Sequence, residues 1–466
     1  MAQLSFYMNI TLFSILATFM PSLVISQSPP PLDPAEQEAV YRIMESVNSD
    51  IPWRTLFPDD ICSSAPHGVV CDYFSDAAIP HITELSFGYV SDYSPNPPCN
   101  PNSTLNPSLL SPLSHLTKLF FYKCFGHSKA ETPFPYFSAL NQSSSLEELV
   151  FIENPGLTGS LEGRIGNLRR LRRLVLTGTS VSGSIPDDFG EFVNLEQLTL
   201  SRNKFEGEIS MNIFHNMKKL KVLDLSDNGF EGNVPESMGY STELLKIDLS
   251  YNKFSGKIPE SFKDLKNVEF LDLSYNNFGS FGFPLVLAEM PSLKEVYLSG
   301  NFLGGEIPDI WGNLRGIMGI GMSRMGLVGN IPKSMGVHLR NACYIGLDNN
   351  MLEGVVPQEI GDLELVRELN LENNNLSGRV PFSASFLSKL GGKLKLEGNL
   401  DLCIDEGLKS AKVSVNLGHL KVCRQPYVSK TALFHESSSP IHDLPTLAFM
   451  VVGVFYFGGV LAEIVV

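Results

Sequence analysis

Around Leu195 the apolar residues begin to fall on one recurring beat. The chain reads NLEQLTLSRNKFEGEIS, KLKVLDLSDNGFEGNVP, ELLKIDLSYNKFSGKIP, NVEFLDLSYNNFGS, SLKEVYLSGNFLGGEIP, RGIMGIGMSRMGLVGNIP, NACYIGLDNNMLEGVVP and LVRELNLENNNLSGRVP. The central apolar position recurs at Leu174, Leu198, Leu223, Ile247, Leu271, Val296, Ile320, Ile345, Leu369 and Leu394, in steps of 24 or 25 residues. Degenerate copies precede it at Leu85, Leu119 and Leu149, giving about twelve full units and a truncated last one. Within L-x-x-L-x-L, alternate apolar side chains of a short strand point inward and the x positions face solvent. The Asn that follows (Asn203, Asn228, Asn252, Asn276, Asn301, Asn350, Asn374, Asn399) ends the strand, where its amide can satisfy turning backbone. Gly207, Gly232, Gly256, Gly305, Gly329, Gly354 and Gly378 then allow tight turns, and the next Ile-Pro or Val-Pro is expected to start an extended outer segment.

No unit of this size buries its apolar face alone, so neighbours must stack. Twelve strands at about 4.8 Å spacing make a parallel sheet roughly 55 Å long. The expected fold class is an α/β repeat solenoid, a curved array with the parallel sheet on its concave face and capped ends. Asp33-Pro34-Ala35-Glu36 reads as a capping box with Pro in the first helical position. Val40, Ile43, Met44 and Val47 follow at helical spacing and form a stripe for the first repeat.

Segments outside the repeat place the chain in the cell. Residues 1–26 read as a secretion signal with an apolar run from Thr11 to Ile25, although Met1 to Ile10 lacks Lys and Arg. The chain then divides into an N-terminal cap (27–80), the solenoid (81–398), a C-terminal cap (399–424), a polar juxtamembrane stretch (425–445) and a hydrophobic tail (446–466). That tail is long enough to span a bilayer. A transmembrane helix and a lipid-anchor signal behind Ser437 to Ser439 both remain open. No Lys or Arg follows the apolar run, and Glu463 sits awkwardly in either. Both place the repeats on the extracellular face of the plasma membrane.

A secreted chain makes disulfides of its seven cysteines. Local pairing of Cys62 with Cys71, Cys99 with Cys124 and Cys403 with Cys423 is the simplest connectivity, which spacing alone does not determine. Cys343 is left over, as a free buried thiol or as the site of an intermolecular bond. Asn102, Asn141 and Asn375 head glycosylation sequons, while Asn106 is blocked by Pro107.

The formal charge of −15 and pI near 5.1 argue against nucleic acid as a partner. No catalytic grouping emerges. The nine histidines are scattered without metal-ligand spacing, no cofactor motif is present, and no kinase loop appears.

The pattern LxxLxLxxNxLxGxIP at this period resembles the plant-type leucine-rich repeat of receptor kinases and receptor-like proteins. Glu36-Gln37-Glu38-Ala39-Val40-Tyr41, His67-Gly68-Val69-Val70-Cys71, Leu85-Ser86-Phe87-Gly88, Leu119-Phe120-Phe121-Tyr122-Lys123-Cys124 and Lys393-Leu394-Lys395-Leu396 are similar to segments of plant receptor-like proteins that lack a kinase. That family usually has Trp before the His-Gly of the cap, and Pro66 stands there in this chain. The resemblance implies a cell-surface recognition protein without a catalytic domain. Its expected partners are a secreted peptide, a leucine-rich-repeat receptor-kinase ectodomain, or both, in development or the response to microbes. The alternatives are an extracellular inhibitor of cell-wall-degrading enzymes on the same repeat, and a structural wall protein held by glycans.

Candidate contact residues on the concave face are Arg202, Tyr251, Phe270, Tyr275, Tyr297, Arg324 and Tyr344, because exposed aromatics with Arg nearby dominate binding hot spots. Ordinary packing between neighbouring turns would equally place aromatics there. Asp224, Asp248 and Asp272 form an acidic column that a basic ligand could relieve, or a plain solvated face. Arg164, Arg169, Arg170, Arg172 and Arg173 form a basic cluster, a docking site for an acidic partner or wall polysaccharide, or a solvated charged turn. Two units break the rule: Phe-Gly-Ser-Phe-Gly-Phe-Pro follows Asn276, and Met325 replaces an Asn.

Overall fold

The computed structural model describes residues 30–424, except 65, 75–78, 89–96, 101, 127–130, 138–144 and 411–419. The expected secretion signal, the stretch from residue 425 onward and Asn141 lie outside the described residues. Among the described residues, no helix is long and apolar enough to cross a membrane.

One sheet of fourteen strands runs the length of the repeats, all parallel save the first. Its register follows the sequence period residue for residue. Leu85 stands opposite Leu119, then Leu149, Leu174, Leu198, Leu223, Ile247, Leu271, Val296, Ile320, Ile345, Leu369 and Leu394. All thirteen are buried in one continuous core.

The asparagines form a second, polar spine. Asn252 donates through Nδ2 to the carbonyls of Leu225 (2.9 Å), Leu249 (3.2 Å) and Ser250 (3.1 Å), and its Oδ1 accepts the Phe230 N–H (3.1 Å). Asn228, Asn276, Asn350, Asn374 and Asn399 repeat the pattern one turn at a time. A primary amide carries both donor and acceptor, so one side chain serves two turns of backbone at once.

The extended outer segment lies before the Ile-Pro rather than after it. Residues such as Lys204–Glu208, Gly229–Asn233 and Lys253–Gly256 pair into a seven-stranded second sheet, and Val328–Asn330 onward into a five-stranded one. Pro186, Pro235, Pro259, Pro284 and Pro357 then cap single 3-10 turns, and Pro332 begins a short α-helix. Proline's fixed φ near −65° and missing N–H suit a helix start as well as an extended chain, and here the turn wins. Gly256 sits at φ +74° in the second sheet, where a Cβ would lie 2.0 Å from Asn233 Oδ1. The two irregular units fall where the second sheet is interrupted. The seven strands end at Asn277–Phe278, and only an isolated Glu306–Val328 bridge precedes the next five.

Both ends of the core are closed. Helix α1 (Pro34–Val47) is capped by the Asp33 carboxylate, which accepts from the Ala35 and Glu36 N–H groups. Val40, Ile43, Met44 and Val47 are buried beneath it. The reciprocal half of the expected capping box is absent. Glu36 is 4% exposed and turns instead to the Ile82 N–H (3.0 Å) and His81 Nδ1 (2.6 Å) on the strand β2 (Ile79–Phe87), which pairs with β1 (Val69–Phe74). His81 in turn stacks on His115, so the fold gathers two histidines that are far apart in sequence. Disulfides join Cys62 to Cys71, Cys99 to Cys124 and Cys403 to Cys423. Cys343 is a free thiol, half-buried rather than buried, because it lies at the mouth of a strand with its Sγ near the Asn341 carbonyl.

Candidate recognition surface

The residue just before each spine Asn occupies the same left-handed backbone slot in turn after turn. Arg202 has φ +55°, Asp227 +54°, Tyr251 and Tyr275 +53°, Gly300 +76° and Arg324 +56°. Each donates its N–H to the next turn, Tyr251 to the Ser274 carbonyl and Tyr275 to that of Ser299. Gly, Asn and Asp tolerate this conformation; for a bulky side chain it is unfavourable. Local backbone preference therefore opposes tyrosine at 251 and 275. Burial does not account for them either, since they are 55% and 42% exposed. Their rings stack on each other at 4.5 Å between centroids, inclined by 16°. The next residue in the slot, Gly300, leaves room for the stack, because a Cβ there would meet Tyr275 Cδ1 at 2.7 Å.

Phe270, Tyr297 and Tyr344 form a second aromatic run on the strands themselves, with centroids 5.9 and 6.5 Å apart. Tyr297 and Tyr344 belong to strands separated by Gly319–Gly321. The two outward positions of that strand carry no side chain, so the Tyr297 ring lies over it. A Cβ at Gly319 would stand 2.7 Å from Tyr297 Oη, and at Gly321 2.8 Å from Cδ1. Gly346 makes the same space for the Tyr344 hydroxyl. Burial, and for Tyr297 a hydrogen bond donated to Glu295 (2.9 Å), hold both phenols above the usual tyrosine range and thus protonated. No single repeat unit marks Gly300, Gly319, Gly321 and Gly346 as part of the surface. They emerge only when the units are aligned on the central apolar residue and the columns read downward.

The two arginines flank the stack, each two turns away. Arg202 is engaged by Glu153, whereas Arg324 is exposed. The fold thus brings Tyr251 to Tyr275 and Phe270 to Tyr297 and Tyr344, with the arginines on either side.

The acidic column is in register but is not an open surface. Asp224, Asp248 and Asp272 each accept from the N–H and Oγ of the serine two residues on. Lys246 Nζ lies 3.7 Å from Asp224 and 3.8 Å from Asp248. Burial first, then the Asp224 charge, pushes Asp248 up to about 6, and burial also raises Asp272. Folded chain therefore holds the Asp248 proton where unfolded chain has released it. This group's contribution is fully present at low pH and is lost as pH rises from 3.8 through about 6. Asp248→Asn keeps the acceptor for Ser250 and removes the penalty. It is expected to stabilise by about 2 kcal/mol near neutral pH and by almost nothing near pH 4, measured by denaturant unfolding at both.

Four of the five arginines of the basic cluster are engaged within the fold. Arg164 donates to the Phe134 carbonyl and lies over the Tyr136 ring, and Arg169 pairs with Glu191. Arg172 bridges Glu147 and Glu196, Arg173 faces Glu148, and Arg170 is exposed. Asn102 and Asn375 are exposed, as a glycan requires.

The profile described as Leucine rich repeat matches residues 233–278, and a second, Leucine Rich Repeat, matches 219–241, 292–314 and 365–387. The chain is built of leucine-rich repeats. It is similar to three proteins of Arabidopsis thaliana that represent the subgroup expected from the cap segments. Protein TOO MANY MOUTHS is 37% identical over 140 residues, covering 30% of this chain and 27% of that one. Receptor like protein 29 is 35% identical over 148 residues, covering 31% and 30%. Piriformospora indica-insensitive protein 2 is 34% identical over 148 residues, covering 31% and 33%. The matched stretch thus spans about a third or less of each relative. Among solved structures, a TDR receptor superposes with a TM-score of 0.55 at 26% identity, over 64% of this chain and 53% of that one. The PEPR1-AtPEP1 structure superposes at 0.60 with 24% identity, over 80% and 52%, and speaks for the fold.

Proposed function

We propose that the chain is a cell-surface receptor-like recognition protein that catalyses nothing itself. Its long sheet binds a secreted peptide, a receptor-kinase ectodomain, or both, along the strip from Arg202 to Tyr344, and signalling is carried by that partner. The observation behind this reading is the Tyr251–Tyr275 pair. Two exposed tyrosines, held where the backbone disfavours them and stacked over a glycine, are paid for by neither folding preference nor burial. Stacked rings offer a large, rigid contact area at low entropic cost, the property that makes tyrosine frequent at hot spots. The receptor-like relatives and the receptor structure of the same fold support the assignment.

Affinity purification of the tagged full chain from intact plant membranes tests it, with the Tyr251→Ala/Tyr275→Ala variant alongside. The chain is expected to retain a receptor-kinase ectodomain or a peptide, and the variant to bind at least about 30-fold more weakly, the loss typical of a hot spot. Tyr251→Phe/Tyr275→Phe keeps the stack and should keep most of the affinity. Recovery of a wall-degrading hydrolase in place of a receptor partner would replace this reading with that of an inhibitor. Phospholipase release of the same membranes reports the tether.

A further inference from the structure

The N-terminal cap holds a group of side chains that the recognition surface does not use. Glu36 of α1, His81 of β2 and His115, just ahead of the third strand (Lys118–Tyr122), each turn one ligand atom inward, all within 4.8 Å of one another. Glu36 is buried, and the two histidines are partly exposed. We propose that these three side chains form a site for a transition-metal dication of the zinc class, which ties the cap helix to the first repeats.

Three features carry this. The donor set, one carboxylate oxygen and two imidazole nitrogens, is that of open zinc sites, which complete four-coordination with water. Ligand atoms bound at about 2.0–2.2 Å to a tetrahedral ion stand roughly 3.4 Å apart, so His81 Nδ1 and Glu36 Oε1, 2.6 Å apart here, must open slightly while His115 closes in. Rotation of half-buried imidazoles supplies that movement. The outer contacts are those that orient metal ligands. Glu36 Oε2 is fixed by the Ile82 N–H, His115 Nδ1 meets Ser114 Oγ at 3.1 Å, leaving Nε2 for the ion, and Phe74 packs on both rings. Finally, the arrangement is hard to explain as two charged histidines. Their rings stack at 3.9 Å between centroids, a contact that two like charges would oppose. Neutral imidazole is the form that binds metal. The ion takes the place of the hydrogen bond between Glu36 and His81, the neutral His81 ring binding through Nδ1 and carrying its proton on Nε2.

The test uses the full chain, purified without a histidine tag and stripped with chelator, then titrated with Zn2+ and Co2+. Zinc should raise Tm in a saturable, concentration-dependent way, and cobalt should give visible ligand-field absorption. His115→Gln, a partly exposed position outside the core, should weaken both at least about tenfold, while His215→Gln, remote from the cap, should change neither. Circular dichroism of each apo variant confirms that it is folded. No Tm shift in the parent chain, or an equal shift and spectrum in His115→Gln, would overturn the proposal and leave the three groups as a buried hydrogen-bonded cluster.

Discussion

Replacing Asn301 by Ala is expected to cost about 4 kcal/mol, about twice the cost of the same change at Asn228, because two buried backbone groups lose their side-chain partners. Asn301 is 1% exposed. Its Nδ2 serves the Leu273 and Leu298 carbonyls at 2.8 and 2.9 Å, and its Oδ1 accepts the Phe278 N–H at 3.3 Å. In a regular stretch each such carbonyl is served from two sides. Leu225 accepts from both Asn228 and Asn252, and Leu249 from both Asn252 and Asn276. The turn after Asn301 carries Met325 in the spine position, so no second amide reaches Leu298. Asn301→Ala therefore strands the Leu298 carbonyl and the Phe278 N–H, whereas Asn228→Ala strands only the Phe205 N–H. At about 1–3 kcal/mol per stranded group, Asn228→Ala should cost about half as much. Equal losses in denaturant unfolding would show that the missing Asn at position 325 is compensated in some other way.

An effect of similar size is expected from Phe230→Ala. Phe205, Phe230 and Phe254 are fully buried in successive turns, and Phe230 lies between the other two, with centroids 5.8 and 6.1 Å away and rings inclined by 7° and 16°. Removing a ring from such a stack loses its transfer free energy and leaves a cavity the neighbours cannot close, about 3–5 kcal/mol. Phe230→Leu retains much of the volume and should lose far less. Because each unit contacts only the next, the damage should be local. Hydrogen exchange should quicken from about Phe205 to Phe254 while the caps stay protected. Uniform acceleration along the whole chain would mean that the array unfolds as a single cooperative block.

What the sequence disclosed follows from periodicity. Residues at the central position have one environment, so they are always apolar, and their spacing alone places Leu85 to Leu394 in register. The spine asparagines were legible for a similar reason, since a buried turn demands a side chain that both donates and accepts. The second sheet was not legible. Stretches such as Lys204–Glu208 have exposed, polar outer faces with only Phe205 buried, and one apolar residue in five carries no period-two signal. Proline misled for a physical reason, its φ being common to extended chain and helix start. The sequence points Glu36 to its own helix terminus because it shows neighbours three residues away, whereas His81 and Ile82 arrive only through the fold. The aromatic residues of the candidate surface could be named in advance. What lets them lie flat, the glycines beneath them, becomes visible only across units.

The claim on which the functional account rests is that partners meet the long sheet at the tyrosine stack. Site-specific photo-cross-linking tests this most directly, with benzoylphenylalanine placed at Tyr275 in one chain and at Phe281, an exposed aromatic at the interrupted edge of the second sheet, in another. In intact plant membranes the account predicts a discrete adduct with a receptor ectodomain or peptide from position 275 and none from 281. No adduct at 275, with or without one at 281, would contradict it.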